Sequence, residues 1–178
     1  QLQMFLRDGL YVNGVQQATS AASSATRDTT QNFLGCRSYL GGQSNFLNGS
    51  IDQVRIFNSA LPQAAVTALY NETTTTATYP YVTTEVANPN SIAYYKMSDA
   101  TDQFGNYNGT ATNVNFNTEG KFGFAGAFNG SSSAIRLPDN SLNSLTSYTV
   151  SAWINSVSDQ NNQSIVNNWG YVNGNAER

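Results

Sequence analysis

From Asn48 to Asn58 the chain reads Asn-Gly-Ser-Ile-Asp-Gln-Val-Arg-Ile-Phe-Asn, and this stretch leaves little choice of structure. Asn48-Gly49 supplies a turn before it and Asn58-Ser59 a turn after it, so it reads as one long strand. Strict alternation assigns Ile51, Gln53, Arg55 and Phe57 to one face and Asp52, Val54 and Ile56 to the other. Leu61-Pro62 then opens a short helix, with Pro62 suited to the first helical position. Val66, Leu69 and Tyr70 follow at helical spacing, so the helix can cap an edge or end of a sheet.

The remainder of the first half repeats the strand-and-turn pattern. Met4-Phe5-Leu6 and Leu10-Tyr11-Val12 flank the turn Arg7-Asp8-Gly9, and Asn13-Gly14 is a strong hairpin signal. Residues 16–32 are small and polar, as a loop requires. Asn32 to Cys36 reads as a strand, and Ser38 to Asn48 as a loop carrying Tyr39 and Phe46. Hydrophobic residues make up 39% of the chain and charged residues only 11%, with ten Tyr and nine Phe, which favours a β-rich domain whose surface is amide and hydroxyl. A net charge of −3 with no basic run argues against nucleic acid. Nothing approaches the apolar length of a transmembrane helix.

Between Glu72 and Asn90 the composition shifts to Thr, with Thr73 to Thr76 in a row and Pro80 and Pro89 further on, and this reads as an extended linker. Strand signals then resume at Ile92-Ala93-Tyr94-Tyr95-Lys96-Met97, Ala134-Ile135-Arg136-Leu137 and Tyr148-Thr149-Val150-Ser151-Ala152-Trp153-Ile154. In the last of these Val150, Ala152 and Ile154 share one face, Ser151 and Trp153 the other.

These motifs resemble laminin-G-like modules of the concanavalin A-like lectin/glucanase type. The closing strand Gly49-Ser50-Ile51-Asp52-Gln53-Val54-Arg55-Ile56-Phe57 and the helix from Leu61 to Tyr70 are similar to the end of such a module. Ile92 to Met97, the loop Asp99 to Gly109, the run Gly120-Lys121-Phe122-Gly123-Phe124-Ala125-Gly126-Ala127-Phe128-Asn129-Gly130 and the strand Tyr148 to Ile154 are similar to the start of one. The resemblance implies an all-β fold, a concanavalin A-like antiparallel β-sandwich (jelly roll) with one short helical turn after the closing strand. It also implies an unusual organisation: residues 1–71 as the C-terminal half of one module, 72–90 as a Thr-rich linker, and 91–178 as the N-terminal half of a second. The alternative is one circularly permuted sandwich, which the nearness of the termini in such folds permits.

Catalysis is disfavoured by the visible residues. Retaining glycoside hydrolysis needs two carboxyls roughly 5–5.5 Å apart, yet Glu72, Glu85, Glu119 and Glu177 are isolated and no Glu-x-Asp occurs. The chain has no His, which removes His-based triads and the usual zinc sites. Cys36 without a base reads as a small core residue. Calcium prefers carboxylates and carbonyls in irregular loops. The resemblance points to Asp52, and Asp99 with Asp102 form a second oxygen-rich loop; the other reading is that these residues make ion pairs or Asx turns. Tyr39, Phe46, Tyr107, Trp169 and Tyr171, in or near loops, are candidate platforms for a glycan, although aromatics also pack sandwich edges. The expected role is a non-catalytic recognition or adhesion module of an extracellular, cell-surface or virion protein. Its expected partners are a glycan or surface receptor, or neighbouring copies in an assembly. A purely structural fibre or capsid module, or an accessory domain of a polysaccharide-degrading enzyme, is the alternative.

Overall fold

The computed structural model describes residues 1–6, 9–19, 31–39, 42–72, 90–142, 145–157 and 162–168, with backbone alone for residues 2–6, 19 and 39. The first half supplies β1 (Leu2–Leu6), β2 (Gly9–Val12), β3 (Val15–Thr19), β4 (Asn32–Leu34), β5 (Arg37–Tyr39), β6 (Gly42–Ser44), β7 (Asn48–Phe57) and α1 (Gln63–Tyr70). The second half supplies β8 (Ser91–Tyr95), β9 (Thr110–Thr112), β10 (Asn115–Glu119), β11 (Phe124–Asn129), β12 (Ala134–Leu137), β13 (Thr149–Ser156) and β14 (Val166–Asn167).

The strands from the two halves are interleaved. The larger sheet has the order β10-β11-β7-β13-β1-β2-β3, with β8 also paired to β7, and the smaller has the order β14-β4-β12-β9. All the pairings are antiparallel, and β7 lies in the middle of the larger sheet. One edge of β7 is shared: β11 pairs with Asn48 to Ile51, and β8 with Val54 to Phe57. Its other edge is held by β13 from Gly49 to Phe57.

A bulge in β7 overturns the strict alternation expected of this strand. Trp153 lies opposite Asp52 and Ser151 opposite Arg55, so β7 carries one residue more than its partner. Gln53 absorbs it with φ of +52°, in the left-handed region. The alternation therefore slips by one at this point. Ile51 lies with Val54 and Ile56 in the sandwich core, whereas Asp52, Arg55 and Phe57 take part in contacts elsewhere. The slip removes Ile51 from the side of the strand where a period of two had placed it with Arg55 and Phe57.

The main core lies between the sheets. Ile51, Val54, Ile56, Tyr95, Val150, Ala152 and Ile154 of the larger sheet meet Leu34, Ile135 and Leu137 of the smaller. Burying each such aliphatic side chain is worth about 1.5–3 kcal/mol before entropy is counted. Close approach is enforced at Gly35, whose φ is +79° and where a Cβ would lie 2.2 Å from the Phe128 ring.

A second cluster forms where α1 packs: Leu61, Val66 and Leu69 meet Phe57, Phe122 and Trp153. The helix thus covers residues of two central strands rather than capping a sheet edge. Pro62, extended at ψ of 155°, stands just before the helix instead of at its first position. Asn13 and Gly14 have φ of 52° and 78° in a two-residue turn joining Val12 to Val15, as the Asn-Gly signal predicts. The stretch read as a loop from Ser38 to Asn48 instead contains most of the β5–β6 ribbon. Its polar residues show no apolar alternation, so nothing in their pattern announces strands.

Candidate functional site

The residues around the bulge form a buried polar chain. Asp52 is buried, and its Oδ2 accepts the N–H of Phe122 at 2.9 Å while Oδ1 accepts Gln53 Nε2 at 3.1 Å. The Gln53 side-chain Oε1 in turn accepts the Tyr94 hydroxyl. The Arg55 guanidinium lies 4.5 Å from the centre of the Tyr94 ring and grips Glu72 through two N–H···O bonds of 2.9 Å. Arg55 and Glu72 are 8% and 7% exposed, so this fork is a buried ion pair. Burial pushes the Asp52 carboxyl up to about 6, although N–H donors from Phe122, Gln53 and Lys121 oppose the shift.

This chain of contacts settles what the strand's charges do locally. Arg55 pairs not with Asp52 but with Glu72, a residue that composition had assigned to the linker. Asp52 instead pins the turn from Gly120 to Gly123, where Gly120 N–H donates to the Gly123 carbonyl at 2.7 Å. A Cβ on Gly120 would come within 2.6 Å of Asp52 Oδ2, so the absence of a side chain lets the carboxylate reach the turn.

Asp99 and Asp102 lie together in the loop after β8, and their ligands are different from those of Asp52. Asp102 accepts four backbone N–H groups: Tyr94 and Phe104 on Oδ1 at 2.9 and 3.1 Å, Asn106 and Tyr107 on Oδ2 at 3.0 and 3.1 Å. Asp99 Oδ1 accepts the Thr101 N–H at 2.8 Å and the Thr101 hydroxyl. The Thr101 N–H bond to Asp99 and the Phe104 N–H bond to Asp102 are of the Asx-turn kind, and the Tyr94 N–H bond ties the loop to β8. A calcium ion at Asp102 would have to displace N–H donors from both carboxylate oxygens. Among the described residues no group of three or more His, Cys, Asp or Glu could hold a metal ion.

Of the candidate aromatic platforms, the two described side chains, Phe46 and Tyr107, pack against different clusters. Phe46 packs against Phe33, Cys36 and Ala134, and Tyr107 against the main core, where its carbonyl accepts the Tyr95 hydroxyl at 2.6 Å. The Tyr39 side chain, Trp169 and Tyr171 lie outside the described residues. Cys36 is fully buried, and burial pushes its thiol up to about 12, which leaves it protonated and inert at neutral pH.

A different aromatic group lies beside α1. Trp153 is nearly buried, with the Tyr70 ring stacked on it at 6.0 Å and Phe122 meeting it edge-on at 6.0 Å. Lys121 Nζ stands 4.8 Å from the Trp153 ring, a cation–π distance. Tyr70 is 38% exposed and Lys121 is exposed, so this corner presents an aromatic ring and a cation to solvent. Both motifs that carry it, Gly120-Lys121-Phe122-Gly123 and Ser151-Ala152-Trp153, are legible in the sequence, but their meeting is not.

Residues 9–67, from β2 into α1, match the family model described as the concanavalin A-like lectin/glucanases superfamily, a laminin-G-type domain. Neither a curated protein nor a solved structure matches the chain. The fold agrees with that match: a mostly β, antiparallel, concanavalin A-like sandwich with one short helix. No helix among the described residues is long and apolar enough to cross a membrane.

Proposed function

We infer that this chain, laminin-G-like over residues 9–67, is a non-catalytic recognition or adhesion module of an extracellular, cell-surface or virion protein. The reading rests on one feature, the corner at which exposed Tyr70 and Lys121 sit over Trp153. An aromatic face beside a hydrogen-bonding cation suits the alternating apolar and hydroxyl surface of a sugar, and the family's lectin members give that chemistry a precedent. The buried carboxylates support the same reading, because Asp52, Glu72 and Asp102 are each engaged in holding the framework together. An accessory domain of a polysaccharide-degrading enzyme would use the corner in the same way.

A glycan-array measurement on the parent protein, with calcium and with chelator, tests this. Binding that Tyr70→Ala reduces at least tenfold, while the melting temperature holds, supports recognition at this corner. Binding abolished by chelator would bring calcium into the mechanism. No glycan bound in either condition would favour protein contact or assembly instead.

A further inference from the structure

The interleaving of the strands carries a consequence for how copies of this chain interact. Among the described residues, β4 pairs only with β12 and β14, and β7 only with β8, β11 and β13. Every one of those partners belongs to the second half. The three-stranded meander β1–β2–β3 is joined to the rest of its sheet through β13, again from the second half. In the two main sheets the first half therefore contributes two single strands and the β1–β2–β3 meander, which are joined to one another within those sheets only through strands of the second half.

The side chains follow the backbone. Leu34, Leu47, Ile51, Val54 and Ile56 of the first half are buried against Ala93, Tyr95, Phe128, Ile135, Val150 and Ile154 of the second. Polar contacts cross the same boundary: Phe122 N–H to Asp52, the Tyr94 hydroxyl to Gln53, and Leu61 N–H to the Thr149 hydroxyl at 3.0 Å. An isolated half would leave a row of apolar side chains in water and both edges of β7 without hydrogen bonds. The covalent connection between the halves, residues 73–89, reaches up to about 55–60 Å if fully extended. That reach is more than the width of a sandwich whose sheets are about 10 Å apart, so the connection does not by itself dictate which copy's second half a first half must use.

We propose that the boundary between residues 1–72 and 90–178 is a complementation surface, and that a second copy of this chain can occupy it by exchanging halves. The partner is defined by chemistry: a half-sandwich offering free strand edges on both sides of β7 and an apolar face to receive Val54 and Ile56. The Tyr70–Trp153 stack crosses the same boundary and would be rebuilt between copies on exchange, so this inference does not rest on the glycan reading.

Three measurements test it. A protease site inserted between Thr75 and Thr76 is cut after folding. The nicked halves should co-elute at the mass of the intact chain and melt together; separation into two species under native conditions would overturn the interleaving. Next, full-length Val54→Asp and Val150→Asp chains, each damaged in one half, are denatured and refolded separately and as an equimolar mixture. The mixture should yield a soluble heterodimer holding one undamaged sandwich, with a cooperative melt seen in neither variant alone. To keep the result independent of aggregation, nicked chains with heavy and light isotope labels are mixed in partial denaturant and returned to native buffer. Hybrids of heavy and light halves should reach about half of the population. No heterodimer and no hybrids would overturn the exchange and leave each chain closed on itself.

Discussion

β7 is buried on both of its sides, but by opposite means. Toward the smaller sheet it presents Ile51, Val54 and Ile56, which are fully buried among aliphatic and aromatic neighbours. Elsewhere it buries Asp52, Gln53 and Arg55, which persist in a low-dielectric setting only because each finds a partner. The apolar side gains from every methylene removed from water and is indifferent to which one. The polar side is close to neutral in total, and punishes the loss of any one partner. The first kind of burial supplies stability; the second specifies which turn and which helix end lie against the strand.

Breaking the polar side at its ion pair gives the largest expected effect. Arg55→Met leaves Glu72 buried and unpaired and should cost about 3–5 kcal/mol in chemical denaturation. The double variant Arg55→Met/Glu72→Leu should recover most of that. A double variant as unstable as the single one would mean that the pair itself, and not the orphaned charge, provides the stability. On the apolar side Ile56→Ala should cost about 2–5 kcal/mol, with no rescue from any single second change.

The comparison sharpens with pH. Asp52 has its pKa raised in the folded state, from an ordinary 3.8 to about 6, so the folded chain holds the proton more tightly than the unfolded chain. The sign follows: this group favours folding at low pH, and its contribution is lost as pH rises from about 4 through about 6, by roughly 3 kcal/mol. Stability measured against pH should show that downward component in the native chain, and Asp52→Asn should flatten it. An unchanged slope in Asp52→Asn would show that another group carries the titration. The smallest effect is expected at Arg136, whose pair with Asp139 spans 3.0 Å but is 53% exposed on both sides. Arg136→Ala should change stability by about 0–1 kcal/mol, and still less in high salt. Breaking the same chemistry as Arg55–Glu72 thus costs several times less where water can solvate the partner left behind.

Much of the fold is legible in the chain before any coordinates. The Asn13-Gly14 turn, the long strand from Asn48, the short helix bearing Val66 and Leu69, and the inward set Val150, Ala152 and Ile154 all follow from local chemistry and periodicity. Of the candidate site residues, Asp99 and Asp102 accept backbone N–H groups from their own loop, a local use of a carboxylate that an irregular Asp- and Gly-bearing segment makes legible. The candidate aromatic platforms were less legible, because a Tyr or Phe in a polar segment looks the same whether it faces water or packs, as Phe46 and Tyr107 do, against a core edge.

By itself, then, the amino-acid order determined what each segment wants locally: strand, turn or helix, and which residues seek burial. Those preferences depend on neighbours a few residues away, and a period of two or of 3.6 displays them. Only the tertiary structure decided that Gln53 would take the extra position of a bulge, that Arg55 would reach Glu72, and that Tyr70, Lys121 and Trp153 would share one corner. It also decided that β7 would lie among strands from beyond residue 90. Each of these joins groups far apart in the chain or turns on competition between two registers. Such choices are made by the free energy of the packed whole, which no local pattern contains.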